Sequence, residues 1–143
     1  MTPHDIFNEM MANDHFSQWL GIELIDVGPG TCTLQMTVRR EMLNGFGIAH
    51  GGISFSLADS AFAFACNSHG RHAVSIHCTI EHVAAVKMGD VLLAEATEER
   101  LGNSVSNYAI RVVKPDGEPV AFFRGVAYRK KTEWGKTGVV DQK

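Results

Sequence analysis

The chain has few of the residues that would make its function easy to name. Its 143 residues include only three cysteines, Cys32, Cys66 and Cys78. They are odd in number, far apart and set in apolar patterns, which excludes a disulfide framework and reads as reduced, buried thiols. Basic tracts are missing too. Charges of both signs are interspersed to a formal net of -3, so neither nucleic acid nor an anionic membrane surface finds a polybasic partner. No apolar run is clean enough to span a bilayer, since the most apolar stretch, 51–68, is interrupted by Ser54, Ser56, Asp59 and Ser60. The N-terminus lacks a basic region followed by an apolar core, and a cytoplasmic protein is expected. Several catalytic signatures are absent: H-E-x-x-H, a G-x-S-x-G elbow, a Walker loop and a dinucleotide fingerprint. The seven histidines have no carboxylate at a ligand spacing, so no metal is expected.

What is present is concentrated between Asn44 and Ser68. A glycine-bearing loop gives way at His50-Gly51-Gly52 to a run with no proline or glycine until Gly70. At 100° per residue, Ile53, Phe55, Leu57, Ala58, Ala61, Phe62, Phe64, Ala65 and Cys66 cover most of the circumference, which predicts a buried central helix. One stripe differs: Gly52, Ser56, Asp59, Ser60, Ala63 and Asn67 share a small, polar face. Asp59 is the only charge in the run. A carboxylate there reads either as a solvated surface group or as the reactive wall of a cleft whose apolar neighbours raise its basicity. At the helix start, Gly51 and Gly52 either permit a tight turn or let a backbone amide approach a carbonyl oxygen with the helix dipole behind it.

Around this helix the chain reads as one domain over 1–130 with a flexible tail over 131–143. Thr2-Pro3-His4-Asp5 starts a first helix that runs to about Asn13. His15, Phe16 and Trp19 lie in a short irregular entry, covering the core or lining a subunit contact. From Ile22 the apolar period is two, through the turn Gly28-Pro29-Gly30 to Arg39. Val74, Ile76, Cys78 and Ile80 alternate with Ser75, His77, Thr79 and Glu81 in a half-buried strand. Strands follow at 90–101, 104–114 and 119–129. A single curved antiparallel sheet wrapped around one long helix satisfies this order, an α+β fold. The polar stripe then faces away from the sheet, toward solvent or a second copy, and at least a dimer is expected.

Asn44, six residues, Gly51, seven residues, Asp59, with His50-Gly51-Gly52 ahead of Leu57-Ala58-Asp59, resembles the hotdog-fold acyl-CoA thioesterases of the phenylacetate-degradation (PaaI-type) branch. The likeness runs over roughly residues 15 to 130. It implies an acyl-CoA thioester hydrolase acting on aryl-acyl-CoA such as phenylacetyl-CoA or hydroxyphenylacetyl-CoA, with coenzyme A part of the substrate and no cofactor. It further implies Asp59 as nucleophile or general base, the Gly51 amide as oxyanion donor, and Asn44 and His50 in support. Each site would be built across a dimer, with tetramers formed from dimers. Related enzymes often carry a hydroxyl residue near His77, so this histidine is a departure and Ser75 is the neighbour able to take that role. Ser60, Phe55 and Phe62 are candidates for the substrate pocket, and Lys87, Gly102, Asn103, Ser104 and Lys131 for the coenzyme A phosphates. Hotdog hydratases resemble Asp-x4-His on this helix, whereas the fifth residue after Asp59 is Phe64, which argues against hydration. The alternative from another class is a noncatalytic acyl-CoA binding or regulatory module on the same fold.

Overall fold

The computed structural model describes residues 1–136. Helix α1 (Pro3–Asn13) starts with a reciprocal cap: Thr2 Oγ1 accepts the Asp5 amide at 3.1 Å and Asp5 accepts the Thr2 amide at 2.9 Å. The expected irregular entry is instead a second helix, α2 (His15–Leu20). Asp14 accepts the Ser17 amide at 2.9 Å to begin it, and Gly21, at φ 74°, closes it in the left-handed region. A hairpin, β1 (Glu23–Gly28) and β2 (Thr31–Thr37), leads to the long helix α3 (Gly51–Asn67). Four strands complete the chain: β3 (Arg71–His82), β4 (Val91–Leu101), β5 (Val105–Val113) and β6 (Pro119–Glu133). They form one antiparallel sheet in the order β1-β2-β4-β5-β6-β3.

α3 touches every strand of that sheet, which requires the sheet to curve around it. Leu57, Ala58, Ala61 and Ala65 are fully buried, and the alanines let the helix come close. Phe62 fills the deepest point, between the rings of Tyr108 and Phe123 at 5.6 and 6.0 Å. Gly125 of β6 lies directly beneath it, and a Cβ there would stand 2.8 Å from the Phe62 ring. This overturns the placement of Phe62 at the substrate pocket. The missing side chain at Gly125 opens room for the ring on the sheet side, and burying it contributes roughly 1.5–3 kcal/mol.

Three further expectations are corrected. In β3 the register shifts between Ser75, opposite Ala127, and His77, opposite Val126, so Ile76 is an extra residue. The bulge breaks the expected alternation. Val74, Ser75 and Ile76 are all exposed, and the Ser75 hydroxyl lies 3.0 Å from the thiol of the half-buried Cys78. Asn67 leaves the polar stripe and is buried. Its Oδ1 accepts from the Ala73 amide and the Trp134 indole, each at 2.9 Å, and its Nδ2 donates to the carbonyls of Ala63 and Ala73. Last, β6 runs to Glu133, so Lys130 and Lys131 belong to a strand. Residues 137–143 of the expected tail lie outside the described residues.

Gly125→Ala is expected to lower stability by about 1–3 kcal/mol, because a buried ring must move to admit one methyl. Urea unfolding measures it, and an unchanged midpoint would show that the helix does not need this contact.

Candidate active site

The loop before α3 is held by its own polar groups. The Asn44 amide donates to the Ile48 carbonyl at 2.7 Å, and Asn44 Oδ1 accepts from the amides of Phe46 and Ile48 at 2.9 and 3.4 Å. The His50 amide donates to the Met42 carbonyl at 2.8 Å, fixing the entry to the helix. His50 Nδ1 accepts the Gly52 amide at 2.8 Å, so in the neutral ring the proton sits on Nε2. With Gly52 taken, the Gly51 amide is a first-turn donor with no acceptor inside the helix.

Beside Gly51 is a cavity of about 190 Å³, with Asn44, Ser54 and His82 among its polar walls and Val86 and Leu92 among its apolar ones. Ser54 donates to the Gly51 carbonyl at 3.2 Å, and its oxygen lies 3.3 Å from His82 Nδ1. His82 Nε2 faces Gly51, 3.2 Å from where a Cβ would stand there.

Asp59 lies elsewhere, halfway along α3. It borders a cleft of about 170 Å³ whose walls include Asp14, Phe16 and Ser17 on one side and Phe55, Asp59 and Ser60 on the other. Phe55 packs edge-on against Phe123 at 5.2 Å, tying this wall to the core. Burial raises the Asp59 carboxyl above its usual range, and the Asp14 charge raises it further. Asp59 and Gly51 are eight residues apart on one helix, or about 12 Å along its axis at 1.5 Å per residue. A single chain therefore cannot present both groups to one carbonyl carbon.

The remaining candidates divide by position. Ser75 is exposed on β3 beside Cys78, whose thiol is pushed up by burial and further by the Asp59 charge. His77 pairs with Val126 and points to the outer face, away from α3. The turn Gly102-Asn103-Ser104 is pinned by two arginines: Arg129 donates to the Gly102 carbonyl at 2.8 Å, and Arg71 to the carbonyls of Asn103, Arg129 and Lys130 at 2.7–2.9 Å. Lys131 follows at the same end of the sheet. Lys87, whose amide donates to Asp90 at 2.8 Å, precedes β4 at the other end. The 11 residues of β4 separate Lys87 from the turn by roughly 35 Å at about 3.3 Å per residue. One chain does not bring these coenzyme A candidates together.

The chain is similar to known proteins over most of its length. Residues 46–121 match the thioesterase superfamily. The chain belongs to that family. It is 42% identical to the acyl-coenzyme A thioesterase PaaI of Escherichia coli over 84% of this chain and 86% of that protein. The structure of E. coli PaaI, from the phenylacetic acid degradation operon, superposes with a TM-score of 0.86 at 40% identity, covering 88% of this chain and 91% of that one. A mutant of the phenylacetic acid degradation protein PaaI from Thermus thermophilus is 35% identical, with a TM-score of 0.79 over 82% of this chain and 100% of its own. Human acyl-coenzyme A thioesterase 13 is 28% identical over 71% of this chain and 75% of its own. The hotdog fold and a thioesterase assignment stand on these likenesses.

Sequence reasoning did not single out Asp14, Ser17, Ser54 or His82. Asp14 ahead of an apolar run carries a helix-start signal. His82 carries none, since only the register of β3 brings it to Gly51.

A carboxyl whose folded-state pKa is raised adds stability that is full below the usual carboxylate range and is lost as pH rises through the folded value. Asp59→Asn is therefore expected to raise the melting temperature at pH 7 to 8. The gain should fade as pH falls to the ordinary aspartate value of 3.8. Thermal melts across that range test it, and a variant less stable at neutral pH would refute it.

Proposed function

We propose that the chain hydrolyses acyl-coenzyme A thioesters, with an aryl-acetyl group such as phenylacetyl or hydroxyphenylacetyl as the acyl part. The observation that carries this is Asp59, the only charge on α3, partly buried in a cleft walled by Phe16 and Phe55 and held in a more basic state than an exposed aspartate. The names of the PaaI relatives support both the thioester class and the acyl group.

The thioester carbonyl oxygen accepts the Gly51 amide, which stabilises the negative charge that develops there. Asp59 then acts by one of two routes. As a base it takes a proton from water while the hydroxide adds to the carbonyl carbon; collapse breaks the C–S bond, and the leaving thiolate takes that proton. As a nucleophile its Oδ bonds to the carbonyl carbon, the thiolate leaves, and water hydrolyses the mixed anhydride. His50 supports the oxyanion donor by holding the neighbouring amide, and Asn44 by holding the loop. Ser75 is better placed than His77 to orient water.

The 12 Å separation along one helix supports a site shared by two copies, the carboxylate of one with the amide of the other. The exposed Val74 and Ile76 on the edge strand β3 suit a seam between them. Such pairing also provides a route by which Lys87 of one copy approaches the 102–104 turn and Lys131 of another.

The test is release of free thiol from phenylacetyl-, hydroxyphenylacetyl-, benzoyl- and straight-chain acyl-coenzyme A, with Asp59→Asn in parallel. The parent should favour the aryl-acetyl substrates, and the variant should lose at least about a hundredfold in rate with its fold intact. Turnover equal in both proteins would remove Asp59 from the reaction. Binding without turnover in the parent would make the chain an acyl-coenzyme A binding module.

A further inference from the structure

Asp59 shares its cleft with a second carboxylate. Asp14 caps α2 through Oδ1, which accepts the Ser17 amide at 2.9 Å, while Oδ2 accepts the Ser17 hydroxyl at 2.6 Å. Ser17 Oγ lies in turn 2.8 Å from Ser60 Oγ on α3. An ionised carboxylate has no proton to give, so the Ser17 proton points at Asp14 and the Ser60 proton must point at Ser17. The chain of hydrogen bonds thus runs one way, from the residue next to Asp59, across the cleft, to Asp14. Capping alone would need only Oδ1. The second oxygen links the cap to the helix that carries the reactive group.

Among the described residues that line the cleft, none is basic. Among the described residues, the other titratable groups whose electrostatics involve Asp59 are thiols. Cys66 on α3, pushed up to about 12 by burial, and Cys78 on β3, also raised, are both neutral in the working range. Asp14 is the charge that remains.

The geometry points to Asp14 as a positioning residue of the reaction: anchored across the cleft through Ser17 and Ser60, it sets a second negative charge against Asp59 and so fixes the pH at which Asp59 begins to work. The inference rests on the reading of Asp59 as base or nucleophile. A like charge disfavours the ionised form, so Asp59 must gain its charge at higher pH and is a better proton acceptor once it has done so. Ser60, its proton committed to Ser17, offers the cleft an acceptor rather than a donor.

Asn and Ser cap helices as Asp does, so Asp14→Asn and Asp14→Ser remove the charge and keep the cap. The measurement is kcat/KM for phenylacetyl-coenzyme A against pH, for the parent, both Asp14 variants and Asp59→Asn. The expected result is an acid limb displaced to lower pH in both Asp14 variants. Their plateau should fall by less than about tenfold, against the hundredfold or more expected of Asp59→Asn. An acid limb that stays in place while Asp59→Asn is inactive overturns the role of Asp14 alone. Parent-like turnover in Asp59→Asn overturns the underlying reading. If a variant is too slow for a profile, titration of the Asp59 carboxyl carbon by NMR reads the same shift without substrate; an unmoved midpoint refutes the inference.

Discussion

The seating of α3 against the inner face of the sheet governs the positions of all other groups described above. Phe62 above Gly125, with the alanines around it, draws the helix close enough for its sheet-facing side to be sealed. The two parts of the helix that escape this seal are its first turn and the strip around Asp59. Both candidate reactive groups are there. Because they are on one rigid element whose place in the core is fixed, their spacing is set by helical rise rather than by any loop. A loop-built site could adjust that distance; on one helix it is fixed.

The sheet's architecture was written in the chain at short range. Alternation from Ile22 to Arg39 and the uninterrupted apolar run after Gly52 each declare their element, since the periods of two and 3.6 reflect which face is buried. Asp59 and Gly51 were legible for a related reason: a lone charge and a glycine pair stand out where every neighbour is apolar. What escaped depended on distant partners. Six residues are too few for α2 to show a helical period, and its existence rests on Asp14 and Gly21. The bulge at Ile76 adds one residue without disturbing the string of apolar letters, yet it brings Ser75 within reach of the Cys78 thiol. Phe62 is one turn beyond Asp59 and read as its neighbour. The glycine that draws the ring away is more than sixty positions later.

The Asp59 cleft also shows how a short N-terminal helix contributes to a site made mainly by another. α2 brings Phe16 as a wall and Asp14 as a charge, and it is fastened to α3 by two serine hydroxyls rather than by an ion pair. A basic residue there would have bound more tightly and quenched the carboxylate. Neutral hydroxyls join the elements and leave the field inside the cleft negative.

At the far end of the sheet, Arg71 spends Nε, NH1 and NH2 on three carbonyls, those of Lys130, Asn103 and Arg129. One guanidinium thus staples the beginning of β3, the end of β6 and the turn between β4 and β5, segments that are remote in sequence. A segment that frays must first give up its bond to this guanidinium, so the staple slows local opening in all three. Arg71 thereby ties two strand ends and a turn together at one point of the sheet.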